Sequence, residues 1–231
     1  MKRPIILALD TKEIDTAAAW IDATRDSIDI FKVGLEFFLK HGAHGLRELR
    51  QGRDFELFLD LKLHDIPNTV AGAVASVADV KPRFLTVHAS GGAKMMSAAA
   101  QVDPQISVTA VTILTSLSDD EVEEIGYRHN AHDSALHLAT MAEKSGAGSI
   151  VCSPFEVTAI RKAVGSSITL ITPGVRPAGS DAGDQSRVMT PSQAIAAGAD
   201  YLVIGRPITG EWSKGPAAMK QAAASILNSV N

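Results

Sequence analysis

The segment ELFLDLKLHDIPNT, residues 56–69, passes from an apolar strand pattern into a cluster of charges and then into a turn led by proline. The cluster contains Asp60, Lys62, His64 and Asp65. Burying a charge is costly unless that charge is paired. The cluster is therefore either a satisfied ion network or a place where chemistry occurs, and it stands where a β-strand gives way to a helix.

The same succession of strand and helix recurs along the whole chain. Short apolar runs predict strands at residues 5–10, 28–34, 55–62, 84–90, 106–114, 149–154, 169–175 and 201–207. Helical patterns lie at about 14–25, 36–50, 68–79, 92–101, 119–145 (with a break), 155–163, 191–197 and 215–229. Strands that are apolar on both faces and alternate with helices predict a parallel sheet. Eight such units without a large insertion favour a closed (β/α)8 barrel, a TIM barrel, over an open doubly wound sheet, so we expect one α/β domain over residues 1–231.

The composition excludes several classes of protein. The 231 residues are 45% apolar and 21% charged, as in ordinary globular proteins, and a net charge of −4 without a basic tract argues against nucleic-acid binding. The single cysteine, Cys152, excludes an internal disulfide framework and a multi-cysteine zinc site. No run approaches the roughly 20 apolar residues of a membrane span, and the first apolar run is too short for a signal peptide. We therefore expect a soluble, cytoplasmic protein that binds neither nucleic acid nor membrane.

Polar residues collect at the C-terminal ends of the predicted strands, whereas the N-terminal ends look largely apolar or turn-like. The residues at or just after the C-terminal ends are Asp10, Lys32, Asp60, Lys62, His88, Thr115, Ser116, Pro173, Gly174, Gly205 and Arg206. Barrel enzymes build their active sites at this face. The one-sided distribution therefore favours an enzyme over a non-catalytic barrel.

Asp60 and Lys62 are two residues apart, so strand alternation places both on one side of the third strand. Lys32 lies on the neighbouring strand and can reach them, which gives a set of alternating sign. In such an arrangement each charge is held in position by oppositely charged neighbours, and a lysine ammonium group can be fixed in place as a proton donor. The alternative is a buried ion network that only closes the top of the barrel.

Two further segments suggest that the protein binds a phosphate. Gly205 and Arg206 follow the last strand, where barrels often bind phosphate, and Arg206 offers a bidentate fork. The long polar loop after strand seven contains Arg176 and Gln185 and has the composition of a mobile lid, although an ordinary surface loop has a similar composition. No metal site is predicted, because lysines interleave with the carboxylates and compete with a cation for them.

The chain resembles the orotidine 5′-phosphate decarboxylase family in its bacterial form. The segment DLKLHDIPNT contains the D-x-K-x-x-D signature of that family. The resemblance extends in order through ILALD (6–10), FKVG (31–34), TVHASGG (86–92), LTS (114–116), TPGVRP (172–177), DQSRVMTP (184–191) and VIGRPIT (203–209). It implies decarboxylation of orotidine 5′-monophosphate to UMP and CO2 without a cofactor, at the last step of de novo UMP synthesis. It also implies a homodimer whose active sites lie at the subunit interface.

The resemblance also implies a role for each matching residue. Lys62 is the proton donor to C6 of the pyrimidine, Asp60 lies against the substrate carboxylate, and Lys32 completes the array and contacts the ribose. Asp65 enters the site from the partner subunit. The other substrate contacts are Asp10 and the partner's Thr69 for the ribose, Thr115 or alternatively Ser116 for the pyrimidine, Arg176 and Gln185 in the lid, and Gly205 with Arg206 for the phosphate.

Two alternative functions remain open. Sugar-phosphate decarboxylases and synthases on the same barrel resemble this family, share D-x-K-x-x-D and use magnesium, but they carry Glu at the position of Lys32. A non-catalytic nucleotide-binding barrel would bind UMP without any turnover.

Overall fold

A computed structural model of the chain describes residues 3–177 and 189–230. Within these residues, eight parallel strands close into a barrel in chain order, with β1 pairing to both β2 and β8. The strands are β1 (Ile5–Ala8), β2 (Ile30–Gly34), β3 (Glu56–Leu63), β4 (Phe84–His88), β5 (Ser107–Val111), β6 (Ser149–Val151), β7 (Thr169–Thr172) and β8 (Tyr201–Ile204). The predicted (β/α)8 barrel is confirmed.

Helices connect and cover the strands. They are α1 (Ile14–Thr24), α2 (Leu35–Leu49), α3 (Pro67–Val77), α4 (Ala93–Ala100), α5 (Asp119–Glu124), α6 (Ala131–Lys144), α7 (Val157–Val164), α8 (Pro191–Ala196), α9 (Arg206–Thr209) and α10 (Pro216–Asn228). The break predicted within 119–145 separates α5 from α6 and includes Gly126, whose φ of 96° suits glycine. The short α9 was not predicted. No helix in the described part of the chain is both long and apolar enough to cross a membrane.

Most strands end earlier than predicted, and this places some of the polar residues in loops. β1 ends at Ala8, so Asp10 lies beyond it, and β5 ends at Val111, so Thr115 lies four residues past the strand. Apolar residues after some strands, such as Leu9 after β1 and Ile113 after β5, continue to pack on the core and prolong the strand pattern in the sequence. Asp10 and Thr115 therefore sit on the C-terminal rim, whereas Lys32, Asp60 and Lys62 lie in the last residues of β2 and β3.

The barrel interior sets which side chains face the rim. An apolar cluster lies in the interior, and among the described residues it comprises Ile6, Ile30, Phe58, Phe84, Ile171 and Tyr201, with Val151 and Val203 packed against it. Successive residues of a strand point to opposite faces, so the residues two positions later also face inward. Lys32 follows Ile30 and Asp60 follows Phe58 in this way, which brings both charges into the layer above the apolar interior.

The opposite, N-terminal face is more charged than the sequence suggested, so the expectation of largely apolar N-terminal ends was wrong. Arg83 forms an ion pair with Glu56 and donates to the Tyr201 hydroxyl at 2.9 Å. Arg3 pairs with Asp29 at 2.7 Å. The two pairs line a cavity of about 450 Å³ at the lower end of the barrel, and their charges compensate one another. What distinguishes the C-terminal face is that its central carboxylate, Asp60, is only 13% exposed and pairs with two ammonium groups.

Candidate active site

Four charged side chains of alternating sign meet at the C-terminal mouth of the barrel. Nζ of Lys32 lies 3.2 Å from Oδ1 of Asp10 and 3.4 Å from Oδ2 of Asp60. Nζ of Lys62 lies 2.7 Å from Oδ1 of Asp60. Asp60 therefore has one ammonium group on each of its oxygens, and the predicted trio is joined by Asp10.

Gly34 makes room for this array. It is the register partner of Asp60 across β2 and β3, at the point where β2 ends and α2 begins. A Cβ at Gly34 would lie 3.3 Å from Nζ of Lys32 and would crowd the ammonium group. Because Gly34 has no side chain, Lys32 can lie against Asp60 while the backbone around Gly34 keeps its position.

Lys62 reaches Asp60 through a break in β3 rather than through the plain alternation that we expected. Leu59 pairs with Leu85 and Leu63 pairs with Val87, so the register shifts between these two pairs. Lys62 has a φ of 47°, a left-handed conformation that residues with a Cβ rarely adopt. The two charges do share one side of the barrel, as predicted, but the break in the strand directs Lys62 toward Asp60.

Thr86 stabilises this break, a role that the sequence motifs do not indicate. Its hydroxyl accepts the backbone N–H of Lys62 at 2.8 Å and donates to Oδ1 of Asp60 at 3.1 Å. Thr86 is fully buried. Its position two residues before His88, on the inward side of the strand next to β3, was the signal that could have identified it.

The array keeps Asp60 charged. Burial alone would raise the pKa of Asp60, but Lys32, Lys62 and the Thr86 hydroxyl outweigh it, and the pKa lies below its usual value. The Asp60 side chain is 13% exposed. The site therefore presents a buried carboxylate between two ammonium groups. Across residues 3–177 and 189–230, no group of three or more His, Cys, Asp or Glu side chains is placed to hold a metal ion.

His88 and His64 lie beside the array, with their ring centroids 5.6 Å apart. Burial lowers the pKa of half-buried His88, and His64 and Lys62 lower it further, against an opposing effect of Asp60. His88 is therefore kept neutral beside the Lys62 ammonium group. His64 is exposed at the rim.

A cavity of about 180 Å³ opens above the array. Lys32, Asp60 and Lys62 form one side of it, and the other side is apolar, formed by Val111, Ile113, Leu114, Val151, Pro173 and Val203. Thr115 lines this cavity, whereas Ser116 lines a neighbouring one. Of these two residues, only Thr115 therefore lines the cavity above the array. A flat ring with an anionic substituent on one edge suits such a cavity.

Gly205 and Arg206 lie next to the Asp10 end of the array. A Cβ at Gly205 would lie 3.5 Å from both Oδ2 of Asp10 and Cβ of Ala8, so the backbone passes close to Asp10. Arg206 is exposed in the first turn of α9. The rim therefore runs from Gly205 and Arg206, past Asp10 and Lys32, to Asp60 and Lys62.

Asp65 and Thr69 do not join the array of their own chain. Oδ1 of Asp65 accepts the backbone N–H of Ile66 at 2.6 Å, and both Asp65 and Thr69 are exposed. Thr69 lies in the first turn of α3. Their predicted action in a partner's site remains a prediction.

The base of the loop after β7 is ordered around Arg176. Its backbone N–H donates to the Met189 carbonyl at 3.1 Å, and its Nη1 donates to the Val175 carbonyl at 2.9 Å. Arg176 is buried. Gln185 lies outside the described residues, so the predicted lid contacts remain a prediction.

Comparisons with known proteins agree on one family. A family model described as "Orotidine 5'-phosphate decarboxylase / HUMPS family" matches residues 3–221. A protein of Thermobifida fusca named orotidine 5′-phosphate decarboxylase is 51% identical over 223 residues, which cover 96% of this chain and 96% of that protein. A protein of the same name from Escherichia coli O45:K1 is 46% identical over 89% of this chain and 86% of its own.

A solved structure leads to the same assignment. The crystal structure of orotidine 5′-phosphate decarboxylase from Lactobacillus acidophilus superposes with a TM-score of 0.85 at 34% identity and covers 100% of both chains. The family indicated by the sequence motifs is confirmed. With a closed barrel, a matching family model and close relatives over nearly its full length, the chain belongs to the orotidine 5′-phosphate decarboxylase / HUMPS family.

Proposed function

We propose that this enzyme removes CO2 from orotidine 5′-monophosphate to form UMP, and that Lys62 protonates C6 of the pyrimidine. The reaction, the last step of UMP synthesis, is the one for which its relatives are named. The observation that carries the roles of the residues is the pairing of Asp60 with Lys32 and Lys62 at the mouth of a cavity. The other roles below belong to the same proposal.

Lys62 would supply both charge stabilisation and a proton. When the bond between C6 and the carboxylate breaks, CO2 leaves and the electron pair stays on C6, a vinylic carbon without an adjacent carbonyl to delocalise it. A preorganised ammonium group lowers the energy of such a charge before it forms. Lys62 then transfers one N–H proton to C6 and recovers a proton from solvent before the next turnover.

Asp60 would act on the substrate carboxylate. Its depressed pKa keeps it ionised when a second carboxylate enters the cavity, although burial opposes that charge. The two carboxylates repel each other, and this repulsion is relieved as CO2 departs. Lys32 and Lys62 hold Asp60 in place while the repulsion lasts.

The rest of the rim would bind the remainder of the nucleotide. The order along the rim supports a phosphate at Gly205 and Arg206, the ribose at Asp10 and Lys32, and the pyrimidine beneath Thr115. Arg176 and Gln185 would belong to a lid over the phosphate. Because the phosphate is remote from C6, its binding energy can drive closure and assemble the site.

We also propose a homodimer in which Asp65 and Thr69 complete the partner's active site. Both side chains are exposed in their own subunit. The adjacent Ile66 is 66% exposed, and Leu35 and Leu39 at the start of α2 are 47% and 78% exposed. Leu35 also lines a cavity shared with Lys32 and Asp60, so this apolar surface adjoins the array. A second subunit would cover it and gain the free energy of burying these side chains.

We treat residues 1–231 as one catalytic domain that works in the cytoplasm. One barrel contains all the described strands, and the family match spans residues 3–221. The single cysteine, Cys152, is a buried free thiol, as is common in a reducing compartment.

The decisive assay follows the absorbance of orotidine 5′-monophosphate with and without a chelator. Turnover that survives exhaustive chelation supports the metal-free reaction, because Lys32 and Lys62 already occupy both oxygens of Asp60. Activity lost with EDTA and restored by magnesium would place the enzyme with the magnesium-dependent relatives. Binding of UMP without any turnover would indicate a non-catalytic barrel.

A further inference from the structure

We propose that Thr86 is a positioning residue, whose hydroxyl fixes the break in β3 and so aims Lys62 at Asp60 and the substrate. The inference deepens the proposed function and depends on the role of Lys62 in it. Thr86 itself lies beneath the charged array and is fully buried.

The break in β3 leaves a backbone group that the sheet does not satisfy. Between its pairs with Leu85 and Val87, β3 advances from Leu59 to Leu63, so it has more residues than β4 at this point. Thr86 is the β4 residue between those two partners. Its side chain replaces the missing ladder bond by accepting the Lys62 N–H at 2.8 Å.

The same hydroxyl also binds the carboxylate. It donates its single proton to Oδ1 of Asp60 at 3.1 Å, the oxygen that also accepts from Nζ of Lys62 at 2.7 Å. A hydroxyl has one proton to donate and can accept in addition, and Thr86 uses both capacities here. Thr86 therefore links the backbone of Lys62 to the Asp60 carboxylate, which also binds the Lys62 ammonium group.

The backbone of Lys62 needs such an anchor. A φ of 47° is unfavourable for a residue with a Cβ, and such conformations persist only where the surroundings impose them. Threonine suits the task because its branched Cβ restricts χ1 and keeps the hydroxyl in one direction. Without the hydroxyl, we expect Lys62 to relax toward a regular strand and its ammonium group to lose its fixed position.

The test compares Thr86→Val with Thr109→Val. Thr109 is the register partner of Thr86 on β5 and is equally buried, but within residues 3–177 and 189–230 its hydroxyl contacts only Ser149 Oγ at 2.6 Å and the Ser107 carbonyl at 3.1 Å. Thr86→Val should lower kcat roughly ten- to a hundredfold, the loss expected for one hydrogen bond to a charged group, with little change in KM. Thr109→Val should retain kcat.

A second measurement separates positioning from a general packing effect. Carbon NMR of the Asp60 carboxyl, assigned with Asp60→Asn, should show its titration midpoint at higher pH in Thr86→Val, because the carboxylate loses a donor. The midpoint should be unchanged in Thr109→Val. Thr86→Ser keeps the hydroxyl and should restore most of kcat and the original midpoint. If Thr86→Val does not fold, Thr86→Ala and Thr86→Ser provide the same comparison.

The inference would be overturned if Thr86→Val or Thr86→Ala kept the kcat and the Asp60 titration midpoint of the wild type. It would also be overturned if Thr109→Val lost as much kcat as Thr86→Val, or if Thr86→Ser had no higher kcat than Thr86→Ala. Failure of the proposed function is recognised separately. In that case the wild type does not turn over the substrate, or Lys62→Ala retains activity, whatever the state of Thr86.

Discussion

Lys62 donates to Oδ1 of Asp60 across 2.7 Å from a backbone held at a φ of 47°. A buried ion pair is weak evidence for stability, because desolvation of both charges offsets much of their attraction. A left-handed lysine costs on the order of 1 kcal/mol or more in addition. We therefore expect the coincidence of a part-buried ion pair with a strained backbone at Lys62 to serve chemistry rather than folding.

Arg206→Ala tests the phosphate end of the rim. We expect kcat/KM for orotidine 5′-monophosphate to fall at least about tenfold, because a charge-assisted contact to the phosphate is lost. The value for the nucleoside orotidine, which has no phosphate, should change little. Arg47→Ala, at the exposed ion pair with Asp79, is the control and should retain activity on both substrates. Equal losses on both substrates in Arg206→Ala would show that Arg206 does not bind the phosphate.

Subunit mixing tests the shared active site. Lys62→Ala and Asp65→Ala are each expected to be inactive, and the two variants are dissociated, mixed in equal amounts and reassembled. Random pairing makes about half of the dimers mixed, and each mixed dimer contains one site with both substitutions and one with neither. Activity should therefore recover to roughly a quarter of the wild-type value. If labelled subunits exchange and no activity returns, Lys62 and Asp65 act within one chain.

Glu156 gives the enzyme a stability that depends on pH. Its carboxyl is buried and accepts the Ser153 N–H at 3.0 Å, and burial raises its pKa from 4.5 to about 7. The folded state therefore holds a proton that the unfolded state releases near pH 4.5, so stability declines as pH rises from there through about 7. Across this pH range, the free energy of unfolding falls by roughly 3 kcal/mol because of Glu156.

Glu156→Gln should remove this decline. Urea unfolding at about pH 5 and about pH 8 should show the variant gaining stability relative to wild type at the higher pH. Glu121→Gln is a matched control, since Glu121 also accepts the N–H of a serine three residues earlier, Ser118, but is exposed and has a lowered pKa. That control should show no relative gain at high pH. A Glu156→Gln curve parallel to the wild type would contradict the raised pKa.

The barrel was predictable because the sequence patterns that specify its strands and helices are local and periodic. Apolar strands alternating with helices specify a parallel sheet, and charges at the C-terminal ends of β2 and β3 pointed to the array before any coordinates. The strand ends were overestimated because residues such as Leu9 and Ile113 stay buried after the hydrogen-bonded ladder has ended. The sequence pattern reflects the burial of side chains, and this burial continues past the last residue that pairs with a neighbouring strand.

Thr86 was not predictable by the same reasoning. In isolation, a threonine in an apolar strand indicates only β-propensity. Its role depends on a register shift between two strands, and Lys62 carries no glycine-like signal for a left-handed backbone. The ion pairs on the N-terminal face were not predicted for a related reason. Arg83 and Glu56 come into contact only because β3 and β4 are paired.

Turnover of orotidine 5′-monophosphate by Lys62→Ala tests the central claim most directly. Lys62 is assigned as the proton donor, so kcat should fall at least about a hundredfold while the circular dichroism spectrum and Tm remain those of a folded barrel. Lys40→Ala removes an exposed lysine paired with Glu13 at 3.0 Å and should leave kcat unchanged. A Lys62→Ala enzyme that keeps more than about a tenth of the wild-type kcat would contradict the assignment of Lys62 as the proton donor.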